Sequence, residues 1–157
     1  ERYGVTPDLL TLAKPLAGGL PIGAVLVTEA VATAMAPGDH GSTFAAGPLV
    51  CRAAQVVFDR VANPEFLAAV RANAEYLLHR LRMLASDQIV EVRGAGLLVG
   101  VELRAPVADL VTAARDRGLI VINAGANVLR LCPPLIVGRE EIDEAVAVIG
   151  ECLGESG

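Results

Sequence analysis

The stretch Thr11-Leu-Ala-Lys-Pro-Leu-Ala-Gly-Gly-Leu-Pro-Ile-Gly-Ala-Val-Leu-Val27 holds one charge in seventeen residues. That charge is Lys14, the only lysine of a chain whose other twelve basic residues are all arginine. A guanidinium keeps its proton in any protein environment, whereas an ammonium yields it once burial or a nearby cation lowers its pKa. An amine that has to attack a carbonyl must therefore be lysine. A surface lysine beside a turn is the ordinary alternative. The glycines of AGGLPIGA let backbone approach a ligand closely, and they equally suit a tight loop. Around Lys14, residues 9–13 and 23–28 read as short buried strands, and 29–35 as a short helix.

The rest of the chain continues this alternation. Pro48 opens an Ala- and Val-rich helix to about Val61, and Asn63-Pro64 starts a long one to about Ser86. In the long helix Phe66, Leu67, Val70, Ala74, Leu77, Leu78, Leu81 and Leu84 keep the helical period, while His79 faces solvent. Beyond Asp87, IVEVR and LLVGVELR read as strands of a hairpin turning at GAG. A helix at about 107–117 leads into the strand LIVIN. The strand NVLRLCPPL is stopped by Pro133 and Pro134, and a last helix covers about 139–153. GAGLLVG (94–100) has Val99 where a dinucleotide fingerprint needs glycine, so it is a turn rather than a nucleotide loop. The fold class is α/β. Residues 1–62 read as the end of an α/β domain, 63–87 as a bridging helix, and 88–157 as a small α+β domain of order β-β-α-β-β-α.

Composition narrows the function. The 157 residues are 54% hydrophobic but only 3% aromatic, with mean hydropathy +0.53. The formal net charge is −5, and the arginines are scattered, which argues against a nucleic-acid surface. The most apolar window, 15–36, is interrupted by Pro15, Pro21 and Glu29, so no membrane span is expected. Cys51, Cys132 and Cys152 share no paired spacing. Free thiols and a cytoplasmic location are the expectation, with no metal site.

Two further segments carry chemistry. GDHGSTFAAGPL (38–49) sets Ser42, Thr43 and several small residues ahead of a helix N-terminus, a pattern that suits a phosphate or a capped loop. His40 there lacks a triad or metal partner. In NVLRLCPPL, Arg130 alternates with Leu129 and Leu131 and points to the opposite face, towards either solvent or a carboxylate.

Taken in order, YGVTPDLLTLAKPLAGGLPIGAVL, GDHGSTFAAGPL, VRGAGLLVGVEL and NVLRLCPPLIV resemble the lysine segment, phosphate loop, C-terminal hairpin and carboxylate strand of the class III, pyridoxal-phosphate-dependent aminotransferases. The likeness is greatest to the family's acetylornithine and ornithine branch. It implies the fold type I architecture of pyridoxal-phosphate transferases, with the end of the large domain followed by the small C-terminal domain. It implies pyridoxal 5'-phosphate bound by Lys14 as a Schiff base. Thr43 would hold the cofactor phosphate from the neighbouring subunit of a homodimer, Ser42 would touch substrate, and Arg130 would bind the substrate α-carboxylate. The implied reaction converts acetylornithine and 2-oxoglutarate to N-acetylglutamate semialdehyde and glutamate, a step of arginine biosynthesis. Ornithine, succinylornithine or 4-aminobutyrate are alternative donors.

The chain departs from the family in two places. TFAAGPL stands where TFGGNPL is usual, and Pro15 and Ala17 intrude where AKGLGGG is common. The family's pyridine-nitrogen aspartate, ring-stacking aromatic and second substrate arginine lie upstream of these segments. The 157 residues are therefore expected to be a C-terminal portion with little turnover alone, and a non-catalytic association or binding fragment is the reading from another class.

Overall fold

The computed structural model describes residues 3–154. They fall into two compact units, Glu1–Pro64 and Glu65–Gly157. In the first, β1 (Leu9–Leu12) pairs antiparallel with β2 (Ala24–Val27), Leu9 facing Val27 and Leu12 facing Ala24. A 3-10 turn, Lys14–Ala17, joins them, with Pro15 at its second position and Gly18 closing it at φ 63°. The backbone there is left-handed, which glycine adopts without a Cβ penalty. One helical turn, α1 (Glu29–Ala32), follows β2, and α2 (Pro48–Val61) ends the unit. The turn packs on α2, and Ala17 is buried in that contact.

Both strands were expected to be buried, and this is corrected. All of β1 is exposed, and Val25 and Leu26 of β2 are 62% and 52% exposed. A two-stranded ribbon has no further layer on which to bury its apolar side chains, so a continuous apolar run does not by itself measure burial.

The second unit is a four-stranded sheet with helices on one side. Helix α3 runs Pro64–Arg82, stopping short of Ser86. It is followed by β3 (Ile89–Ala95), β4 (Leu98–Leu103), α4 (Ala108–Asp116), β5 (Ile122–Asn123), β6 (Val128–Leu131) and α5 (Arg139–Cys152). The element order β-β-α-β-β-α is the one expected, although LIVIN contributes only the two residues of β5. In space the strands run β3-β4-β6-β5, all antiparallel.

Alternation sets the two faces of this sheet. Val99, Val101, Leu103, Leu129 and Leu131 all point inward and are nearly inaccessible. Ala74, Leu77 and Leu81 of α3, Leu110 and Ala114 of α4, and Ile142, Val146 and Ile149 of α5 pack in the same cluster. Helix α3, expected as a bridge, thus supplies core to the second unit. It is also tied to α5 by polar contacts. The Tyr76 hydroxyl donates to Asp143 at 2.8 Å, Arg80 pairs with the same carboxylate, and Arg139 stacks 4.7 Å from the Tyr76 ring centroid. Asn73 donates to the Val137 carbonyl at 2.8 Å. The Glu141 side chain accepts from the Gly138 N–H at 2.9 Å and so caps α5, whose acidic first turn suits the helix dipole. The three cysteines are free, and no described helix is long and apolar enough to cross a membrane.

Candidate active site

Lys14 opens the 3-10 turn, separated from β1 by Ala13 alone, and is exposed. Its φ is 54°, one of two positive values among described non-glycine residues. An L-residue in that region is strained by about 1–3 kcal/mol, and such strain persists where the surrounding structure imposes it. Here β1 fixes the approach, Pro15 fixes the next φ, and the turn packs on α2. Among the described residues the Lys14 amine has no hydrogen-bond or ion-pair partner.

The other positive value is Ala46, at 54°, in the loop that carries Ser42 and Thr43. This loop leads to α2, whose Gly47 N-cap brings no side-chain cap and whose first residue, Pro48, has no N–H. The remaining N–H groups of the first turn are left to an external acceptor. Ser42, Phe44, Gly47 and Val50 face Pro21 and Gly23 across a cleft of about 380 Å³. The structure therefore brings Ser42 against the segment that follows Lys14, while Lys14 and Thr43 do not line this cleft. His40 is exposed in the same loop.

Arg130 belongs to the second unit. It is exposed on β6 between buried Leu129 and Leu131, on the sheet face away from the helices. Pairing places Arg130 opposite Gly100 of β4 and Ile122 of β5, and Gly100 opposite Arg93 of β3. Arg93 donates to Glu102 at 2.5 Å and to Glu91 at 2.7 Å, which together hold its guanidinium above its ordinary pKa, Glu102 foremost. Arg130 has no such partner among the described residues. The triad was not anticipated, although Glu91-x-Arg93 on one strand was the signal for it. A larger apolar groove of about 490 Å³, lined by Leu77, Ile120, Ile136 and Ala145 among others, does not include Arg130. No described cluster of His, Cys, Asp and Glu could hold a metal ion.

The profile described as Aminotransferase class-III matches residues 1–153. The chain is 51% identical over 156 residues to the mitochondrial acetylornithine aminotransferase of Alnus glutinosa, covering 98% of this chain and 35% of that protein. It is 42% identical to the acetylornithine aminotransferase of Aquifex aeolicus, covering 98% and 39%. Among solved structures, the acetylornithine aminotransferase of Elizabethkingia anophelis superposes with a TM-score of 0.86 at 30% identity, covering 99% of this chain and 43% of that one. The ornithine delta-aminotransferase of Plasmodium falciparum gives 0.87 at 31%, covering 98% and 40%. The chain thus spans roughly two-fifths of the length of these relatives. A lone lysine on a strained turn, a hydroxyl-bearing loop before a helix and a strand arginine with no partner among the described residues lie in a sequence that aligns over almost its own whole length with part of each of those proteins, and the chain belongs to the class-III aminotransferase family.

Proposed function

We propose that the polypeptide carrying this chain is a pyridoxal-phosphate-dependent aminotransferase that passes the amino group of acetylornithine to 2-oxoglutarate. The carrying observation is the sole lysine, held at positive φ at a strand end within a sequence about half identical to an acetylornithine aminotransferase. Ornithine remains the next donor, because solved ornithine aminotransferases superpose equally well. On this reading residues 1–62 end the large cofactor-binding domain and 88–157 form the small domain.

The residues present suit the cofactor. Its phosphate needs N–H and hydroxyl donors, and the uncapped first turn of α2 with Ser42 and Thr43 supplies that donor set. When bound, pyridoxal phosphate supplies an aldehyde for amine capture and an electron-withdrawing ring. Lys14 supplies the amine and, once released, carries a proton to and from the substrate carbon. Thr43 holds phosphate, contributed to the neighbouring subunit of a homodimer, and Ser42 contacts substrate. Arg130 orients the substrate through a two-pronged contact to its α-carboxylate.

The test is borohydride trapping. Purified protein is mixed with pyridoxal phosphate, reduced, digested and mapped by mass spectrometry, with Lys14→Ala as control. Saturable modification at Lys14 supports the reading. Absence of it in a polypeptide extended upstream to the length of the relatives removes it. Turnover of acetylornithine against ornithine in that longer protein settles the donor.

A further inference from the structure

The outer face of the second unit's sheet has an ambiguity that its ion pairs resolve. Arg93, Gly100 and Arg130 form one row across β3, β4 and β6, and Glu91, Glu102 and Val128 form the next. Glu102 on the central strand therefore stands diagonal to two arginines, Arg93 on one side and Arg130 on the other, with the same two-residue offset to each. Diagonal neighbours lie about 7–8 Å apart and within reach of long side chains. The Glu102–Arg93 contact of 2.5 Å shows that this offset is spanned here. Nothing stands between the arginines, because Gly100 has no side chain. A Cβ there would come within 3.1 Å of Val128 Cγ1. Glu91, directly opposite Glu102, adds a second carboxylate that, among the described residues, only Arg93 neutralises.

We infer that Arg93 is a positioning residue for Arg130: by holding Glu102 on its own side of the sheet, it leaves the Arg130 guanidinium open to a ligand carboxylate. This rests on the reading of Arg130 as the carboxylate anchor. If Arg93 is removed, two carboxylates face each other unneutralised, and Glu102 relieves that repulsion by turning to Arg130. The anchor is then satisfied internally, and a carboxylate substrate has to displace Glu102 to bind.

The first measurement is the arginine side-chain Nε–Hε spectrum of the 157-residue chain labelled with nitrogen-15. In Arg93→Gln the Arg130 resonance moves as its new ion pair forms. In Arg93→Gln/Glu102→Gln it returns to its wild-type position, and Arg93→Lys, which keeps the cation, leaves it there. Where Arg93→Gln does not fold, Arg93→Met carries the same test. An Arg130 resonance unmoved by loss of Arg93, or unrestored by the double substitution, overturns the inference. The second measurement is competitive inhibition of the longer enzyme by glutarate, an unreactive dicarboxylate. Its inhibition constant rises about threefold to fivefold in Arg93→Gln, as a half-exposed ion pair allows, and recovers in the double variant, with kcat little changed. Arg130→Gln separates the two ideas. If it leaves glutarate inhibition unchanged, the anchor reading falls even though the coupling between Glu102 and Arg130 stands.

Discussion

Lys14 and Ala46 share a backbone conformation, and for different reasons. At Lys14 the left-handed φ of 54° accompanies the residue that the proposed chemistry requires. Lys14→Asn or Lys14→Gly is therefore expected to end cofactor trapping and yet raise unfolding stability by about 1 kcal/mol, read from urea titration. At Ala46 the same φ falls where the family's usual TFGGNPL has glycine, and an alanine there is strained. Ala46→Gly is expected to stabilise the loop by about 1 kcal/mol, and tighter phosphate protection against unfolding would accompany it. A loss of stability at either position would show that the turn gains more from the native side chain than its φ costs.

Among the elements, the β3–β4 hairpin and the α3–α5 contact are the most sharply determined. A Cβ on Gly94 would lie 2.8 Å from the Leu98 carbonyl and 3.2 Å from Val99 Cα, both backbone atoms that cannot move aside. Gly94→Ala is expected to cost about 1–3 kcal/mol in thermal unfolding. Tyr76→Phe removes the hydroxyl that donates to Asp143 and accepts from Arg80, with an expected cost of about 1–2 kcal/mol. Arg80 has its pKa raised, chiefly by its hydrogen bond to Tyr76. A raised folded pKa means stability fully present below the ordinary arginine value and lost only above the folded one. This pair therefore adds no pH dependence from the arginine side near neutrality, and 1 M salt weakens it instead.

At the scale of the whole molecule the two units differ in what they bury. Among the described residues the first unit buries only Ala17 fully, whereas the second surrounds Leu77, Leu81, Leu129, Ile142 and Ile149 with almost no exposure. Amide exchange is expected to be slowest in β4, β6 and α5 and fast throughout β1 and β2, a contrast measurable by mass spectrometry. Leu129→Ala is expected to cost about 2–5 kcal/mol. Phe44, Leu49 and Phe58 stay 92%, 76% and 65% exposed. Apolar surface of that kind is what a protein partner covers, in keeping with the dimer proposed above.

The sequence by itself determined the local grammar: Pro48 and Pro64 start helices because proline suits a first turn, and the 3.6-residue apolar period of 64–82 persists because one face must pack. It also singled out Lys14, since no other side chain in the sequence can offer a neutral alkyl amine, and it put Arg130 opposite in sense to Leu129 and Leu131 by strand alternation alone. Only the tertiary structure decided the rest. Burial of β1 and β2 depends on a covering layer that no local pattern encodes. The left-handed backbone of Lys14 and Ala46 comes from closure of their turns. The row Arg93–Gly100–Arg130 exists because β4 pairs with both β3 and β6, and strand register, a long-range choice, is what makes distant residues neighbours.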